Sequence, residues 1–215
     1  LEHINLEQGI IRIGHKKYEL NDTNFPTIDP SDPYRLTEQE QNLMIRIQNS
    51  FLKSEKLQRH IKFLVDKGSM YLTYNSKLMY HGCVPMTPDG KFKRLEIEGV
   101  YYSGRGLLDK FDELVRQCFY QRLDNNGKNK LLDYFYYLWQ GPSSPLFGKS
   151  KMATFERYFI DDKETHLEET NPYFDLRDSE ELCDRIFNEF DLNPDKSHII
   201  NGHIPVKMKK GENPV

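Results

Sequence analysis

The sequence of 215 residues has only three cysteines, and they lie far apart along the chain. The spacing of Cys83, Cys118 and Cys183 argues against a disulfide framework and against a four-cysteine zinc site, and it fits a reducing cytosol. There is also no run of 18 apolar residues, and the N-terminus lacks a basic segment followed by an apolar one. We therefore expect no transmembrane span and no secretory leader, and we expect a cytoplasmic protein.

An excess of positive charge is missing as well. The 30 Lys and Arg residues are outnumbered by 33 Asp and Glu, which gives a formal net charge of -3. Nucleic-acid-binding proteins usually carry a basic face, so we expect no nucleic-acid partner. The 13 Tyr and 13 Phe residues stand against a single Trp. We interpret them as residues that pack in the core and between subunits. A homo-oligomer is therefore among the expected partners.

Two histidines follow short apolar segments that the pattern predicts to be strands. Ile199-Ile200 reads as a short buried strand, and Asn201-Gly202 ends it at His203. Lys77 to Tyr80 forms a second predicted strand, which ends at His81 and Gly82. Either histidine alone would be interpreted as an ordinary turn residue. The repetition of this pattern favours a metal-binding site. A neutral imidazole can bind a metal, and the neighbouring glycine lets the backbone turn sharply.

A long helix is predicted in the first third of the chain. Thr37 and Glu40 have the spacing of a capping box, and apolar residues then recur at intervals of three and four as far as Lys67, before Gly68 ends the helix. The preceding segment, residues 10–20, is predicted to form a hairpin that turns at Gly14-His15. The helix would be long enough to serve as a docking surface or a strut.

A loop rich in glycine and proline spans residues 141–151 and carries two lysines. Its backbone can approach a ligand closely, and Lys149 can supply a point charge to a phosphate. The spacing does not match a Walker loop. A surface loop without a ligand remains the alternative.

Several of these segments resemble the class III fructose-1,6-bisphosphatases, which belong to the calcineurin-like metallophosphoesterases. The histidine segments are similar to the last two metal motifs of that superfamily, including Gly211-Glu212-Asn213-Pro214 after the second one. The similarity extends to other segments, so that it runs nearly from end to end: Asp22 to Pro30, Leu138 to Pro142, Pro145 to Lys149 and Thr154 to Phe159.

The resemblance implies a mixed α/β fold in which the chain forms part of a calcineurin-like α/β sandwich with helical insertions. It implies a phosphatase that hydrolyses fructose 1,6-bisphosphate to fructose 6-phosphate in gluconeogenesis, with a two-metal site that typically holds manganese. His81 and His203 would be metal ligands. Arg157 would grip the substrate phosphate, as does an arginine between the histidine motifs in related enzymes, and Lys149 would assist it.

The Asp-x-His, Gly-Asp-x-x-Asp and Gly-Asn-His motifs of the superfamily do not occur in this sequence. We therefore expect the chain to be an inner piece of a longer enzyme and to be inactive alone. Residues 1–68 are expected to form an insertion region with the hairpin, a proline-rich loop and the long helix. Residues 69–215 are expected to form the C-terminal half of the metallophosphoesterase domain.

Two other functions remain open. The chain could be a noncatalytic regulatory or interaction module built on the long helix. It could also belong to another metallophosphoesterase, such as a protein phosphatase or a dinucleotide hydrolase, because the histidine motifs are shared across the superfamily.

Overall fold

The computed structural model of the chain describes residues 3–120 and 125–204. The strands are Ile4–Asn5 (β1), Ile10–Ile13 (β2), Lys16–Glu19 (β3), Tyr71–Tyr74 (β4), Lys77–Tyr80 (β5), Leu95–Ile97 (β6), Val100–Tyr102 (β7) and His198–Asn201 (β8). The α-helices are Glu38–Leu52 (α1), Glu55–Lys67 (α2), Gly104–Tyr120 (α3), Asn125–Gln140 (α4), Thr154–Phe159 (α5), Tyr173–Leu176 (α6) and Glu180–Glu189 (α7). Helices alternate with small sheets, so the predicted mixed α/β fold class is confirmed.

The chain divides into two compact units. The first contains the residues up to Phe63 together with Ala153–Leu167, and the second contains Leu64–Met152 together with the residues from Glu168 onward. The functional division at residues 68 and 69 stays a prediction. Among the described residues, no helix is both long and apolar enough to cross a membrane.

The first unit contains the predicted hairpin and a small core. β2 and β3 pair antiparallel, with Arg12 opposite Lys17, and β1 adds a third strand on the other side of β2. The hairpin prediction is confirmed. Ile11 and Leu20 are buried with Ile160, the residue that follows α5, and they form the centre of this core.

The predicted capping box at the start of α1 is present. The hydroxyl of Thr37 accepts a hydrogen bond from the Glu40 backbone N–H at 3.3 Å, and the Glu40 carboxylate accepts one from the Thr37 N–H at 2.8 Å. The single helix predicted to reach Lys67 is wrong, however, because α1 ends at Leu52 and α2 begins at Glu55. The Ser54 hydroxyl accepts a hydrogen bond from the Leu57 N–H at 3.3 Å, so a second N-cap restarts the helix.

The second unit is built around the three-stranded sheet β4-β5-β8. β4 and β5 are antiparallel neighbours, and β8 joins the other edge of β5 in parallel. One face of β5 is buried against α3, α6 and α7, and the core residues are Leu78, Tyr80, Leu108, Tyr173, Leu182 and Ile186. A second cluster packs the opposite side of α3 against α4 through Leu107, Phe111, Leu114, Leu131 and Leu138.

Strand β8 is less buried than its sequence suggests. Two consecutive β-branched residues predicted a buried strand, but Ile199 is half-buried and Ile200 is 50% exposed. The prediction of burial is wrong because side chains alternate along a strand and only one face of this sheet packs on the core. The parallel pairing nevertheless places the C-terminal ends of β5 and β8 side by side.

Candidate metal-binding site

His81 stands on a turn that close backbone packing fixes. The strand β5 ends at Tyr80, and the next residue but one, Gly82, is buried. A Cβ atom on Gly82 would overlap the Pro145 carbonyl oxygen, and that same oxygen accepts a hydrogen bond from the Cys83 N–H at 3.0 Å. Glycine is therefore required behind His81, because the 145–148 loop passes too close for any side chain.

His203 stands on a second turn, which is tied directly to the first. The Gly202 N–H donates to the His81 carbonyl oxygen at 3.1 Å, and the Asn201 side-chain amide donates to the Gly82 carbonyl oxygen at 2.9 Å. His203 itself has a φ of 66°, in the left-handed region that few residues other than glycine adopt. These contacts join the two strand ends into one backbone frame.

The two predicted histidines meet within this frame. His203 Nδ1 lies 3.0 Å from His81 Nε2, and the ring centroids are 4.9 Å apart at an interplanar angle of 78°. Both rings line the same cavity of about 810 Å³. The structure therefore brings together two side chains that lie 122 residues apart in the sequence.

The surroundings of His203 favour its neutral form. Burial lowers the pKa of His203 below its ordinary value, and the neighbouring His81 and Lys149 lower it further, while a hydrogen bond to the Phe147 backbone acts in the opposite direction. A neutral imidazole has a lone pair available for a metal, and a second hydrogen-bond partner orients the ring.

The two nitrogens lie at the distance of a hydrogen bond, and the same spacing also fits a shared divalent cation with octahedral geometry. Two nitrogens bound to one metal at about 2.1 Å and about a right angle are separated by about 3.0 Å, the distance observed here. Among the described residues, however, no group of three or more His, Cys, Asp and Glu side chains could hold a metal ion. The described residues therefore offer at most this pair as metal ligands, and the metal-binding role of His81 and His203 stays a prediction. The predicted Gly211-Glu212-Asn213-Pro214 segment lies outside the described residues.

Lys149 also lines the cavity, but its charge is engaged. Its ammonium group lies 2.8 Å from a carboxylate oxygen of Glu168, whose side chain is only 15% exposed. A phosphate group would have to share this lysine with the glutamate or displace the glutamate from it. Its predicted role in phosphate binding stays a prediction.

Arg157 lies on α5 in the first compact unit, whereas the histidine pair and Lys149 belong to the second. Its guanidinium group donates a hydrogen bond to the His166 carbonyl oxygen at 3.2 Å. This contact connects α5 to the 3₁₀ turn Lys163–His166. The proposed contact of Arg157 with a substrate phosphate also stays a prediction.

No sequence pattern pointed to several of the residues around the pair. The cavity has an apolar wall that includes Phe135 and Trp139, which lie one turn apart on α4. The Glu168 carboxylate and the Phe147 backbone are brought in from distant segments. Asn201 was recognisable as a turn residue, but only the fold shows that its amide holds the opposite turn. All three cysteines are free thiols, and burial raises the pKa of Cys83 to about 12.

Comparison with known proteins defines the class of protein to which this fold and site belong. The model of the family described as Firmicute fructose-1,6-bisphosphatase matches residues 1–215, and the chain therefore belongs to that family. No solved structure matches the chain.

Individual relatives cover the whole chain. It is 57% identical over 215 residues to the fructose-1,6-bisphosphatase class 3 of Clostridium tetani (strain Massachusetts / E88), and 57% identical to the protein of the same name from Clostridium novyi (strain NT). It is 55% identical to that of Fusobacterium nucleatum subsp. nucleatum over 215 residues. Each alignment covers 100% of this chain but only 32% or 33% of the relative. The chain thus spans about a third of the length of the curated relatives that it matches.

Proposed function

We propose that the chain supplies the histidine-bearing part of a metal-dependent phosphatase that hydrolyses fructose 1,6-bisphosphate to fructose 6-phosphate and inorganic phosphate. Membership of the Firmicute fructose-1,6-bisphosphatase family and the names of the relatives support this substrate. The observation that carries the proposal is the 3.0 Å approach of His203 Nδ1 to His81 Nε2 at the ends of two parallel strands.

In this function His81 and His203 would hold manganese, with further ligands supplied from outside the described residues. A bound divalent cation of this kind polarises a phosphoryl oxygen and lowers the pKa of a coordinated water. The chain contributes the positioning. Asn201 and Gly202 fix the two turns to one another, and the Phe147 backbone orients the His203 ring.

Phosphate binding would rest on Lys149 and Arg157. Lys149 lies in the cavity that the histidines line, so its ammonium group can interact with an anion held beside the metal. Glu168 holds this lysine in place before substrate binds and would balance its charge. Arg157 would add the planar fork that suits a phosphate.

The remaining features of the proposal concern the whole protein. Two imidazoles alone would hold a metal poorly, so residues 1–215 in isolation are expected to be inactive. The three free thiols fit a reducing, cytoplasmic environment. The net charge of -3 gives no support for a nucleic-acid partner, and we expect a sugar bisphosphate substrate and a homo-oligomer.

Isothermal titration with manganese tests the proposal in the longest natural form of the protein. We expect His81→Ala and His203→Ala each to weaken manganese binding by at least about tenfold, because losing a ligand should cost no less than losing one of its outer-shell partners. His198→Ala is the matched control, because His198 is an exposed histidine on β8, the strand that leads into the turn of His203. If all three variants bind manganese as tightly as the unmodified protein does, the result contradicts a metal-binding role for His81 and His203 and favours the interaction module.

A panel of substrates distinguishes the proposed fructose-1,6-bisphosphatase activity from the activities of other metallophosphoesterases. The parent protein with manganese is expected to release phosphate from fructose 1,6-bisphosphate faster than from a phosphopeptide. It should also act on the sugar bisphosphate in preference to a dinucleotide. Preference for the phosphopeptide or the dinucleotide would place the same metal site in a different metallophosphoesterase.

A further inference from the structure

Two positive charges face one another across the hairpin of the first unit. Arg12 on β2 is directly opposite Lys17 on β3, and both side chains are exposed. Within the described part of the chain, neither of them forms an ion pair. The adjacent Lys16 differs, because its ammonium group lies 2.9 Å from the Glu164 carboxylate. Like charges directly opposite each other on a sheet are destabilising, so this pair has an electrostatic cost that a bound anion would remove.

The same two residues line a cleft of about 650 Å³ that lies between the sheet and the proline-rich loop, residues 21–36. The sheet contributes Arg12, Lys17 and Ile10, and the loop contributes an apolar wall made of Ile28, Pro30, Pro33 and Tyr34. His3 lies beside the arginine, because its carbonyl oxygen accepts the Arg12 N–H at 2.8 Å. The volume lies within the range that is typical of small-molecule sites.

The charge balance of the lining favours an anion. Glu7 is the one acidic residue among the lining residues, against the two fixed positive charges of Arg12 and Lys17. An arginine presents a planar fork of donors and a lysine presents a mobile point charge, and together they suit a phosphate or carboxylate group. The apolar wall would contact the uncharged remainder of such a ligand.

We propose that this cleft binds a small organic anion whose phosphate or carboxylate group lies between Arg12 and Lys17. The site belongs to the first compact unit, whereas the histidine pair belongs to the second. It is therefore additional to the proposed phosphatase function and does not depend on it.

Titration of the longest natural form of the protein with inorganic phosphate tests the proposal. The measurement is made in the His81→Ala, His203→Ala background after treatment with a chelator, so that the proposed metal site does not contribute. We expect phosphate binding to persist there, and Arg12→Gln or Lys17→Gln to weaken it about tenfold, as the loss of one charge-assisted hydrogen bond would. Lys16→Gln is the matched control, because it removes the same charge from the same hairpin but outside the cleft, and it should leave binding unchanged.

A parallel titration with malonate distinguishes a carboxylate site from a phosphate site. Binding of either anion that depends on Arg12 and Lys17 supports the proposal. Absence of binding, or an equal effect of Lys16→Gln and Arg12→Gln, would overturn it.

Thermal unfolding provides a second readout. Without phosphate and at low ionic strength, Arg12→Gln should unfold at the same temperature as the parent or a higher one, because the repulsion is relieved. Phosphate should then raise the melting temperature of the parent more than that of the variant. Arg12 is merely structural, and the proposal fails, if Arg12→Gln melts well below the parent without phosphate and phosphate raises both melting temperatures equally. Arg12→Lys keeps the charge and should retain part of the binding.

Discussion

Replacement of Asn201 by alanine should weaken metal binding although this side chain is not among the proposed ligands. Its amide donates to the Gly82 carbonyl oxygen at 2.9 Å and so joins the turn of His203 to the turn of His81. Without it, the Gly202 N–H bond to the His81 carbonyl is the remaining hydrogen bond between the two turn backbones among the described residues. Asn201 is therefore expected to act as a positioning residue.

The size of the effect follows from one hydrogen bond. A bond of this type contributes about 1 kcal/mol net, which corresponds to about a fivefold change in an equilibrium constant. If the turns separate in the free protein and must be brought together again by the metal, manganese affinity falls by up to about fivefold. Asn201→Asp should lower it further, because the aspartate would place a negatively charged oxygen against the Gly82 carbonyl in place of a donor.

The assay is manganese titration of the longest natural form of the protein, compared with urea unfolding of the same variants. Asn193→Ala is the matched control, because Asn193 accepts a hydrogen bond of 3.0 Å from the Asp195 N–H, outside the site. Both alanine variants should lose similar stability, but only Asn201→Ala should lose metal affinity. Equal manganese affinity in the two variants would refute the positioning role.

Four further predictions concern packing, ionisation and assembly. Gly82→Ala should destabilise the protein by about 1–3 kcal/mol and weaken manganese binding, because its Cβ would overlap a backbone carbonyl, whereas Gly106→Ala in an open part of α3 should be neutral or stabilising in urea unfolding. The hydroxyls of Tyr80 and Tyr173 lie 2.8 Å apart at exposures of 8% and 2%, so either Phe variant should cost about 1–3 kcal/mol and the double variant less than the sum. Burial raises the pKa of Tyr173 to about 12, above the value of about 10 in an unfolded chain. Its contribution to stability is therefore complete below pH 10 and is lost as the pH rises through 12, and Tyr173→Phe should flatten that loss in alkaline unfolding. Phe51 on α1 is 60% exposed, and Phe51→Ser should weaken self-association in sedimentation velocity with little change in stability, a result that an unchanged sedimentation profile would contradict.

The positions of the two histidines at strand ends could be predicted because they depend on local patterns. Each histidine follows a short apolar strand and lies next to a glycine, and such strand ends commonly carry functional residues. The pattern does not contain the pairing partner of each strand. The parallel pairing of β5 with β8 connects segments more than 100 residues apart. This pairing places the two histidines next to each other.

The predicted single helix failed for a reason that was present in the sequence. Leu43, Ile47 and Phe51 keep an interval of four, but the next apolar position three residues on is Ser54. Its hydroxyl caps a new helix, and no buried side chain of α1 or α2 opposes the break. The Lys149 ion pair was not predictable in the same way. Glu168 is one acidic residue among many in its segment, and only the fold selects it.

The parallel arrangement of β5 and β8 also determines when the site can exist. A ribosome releases His81 long before it releases His203, which lies 122 positions further along the chain, and the two rings cannot meet before then. Closing so long a loop costs entropy that local contacts do not repay, so this pairing should form late in folding. A nascent chain would therefore lack this histidine pair, and any proposed metal binding through it, until nearly all of the described sequence has emerged.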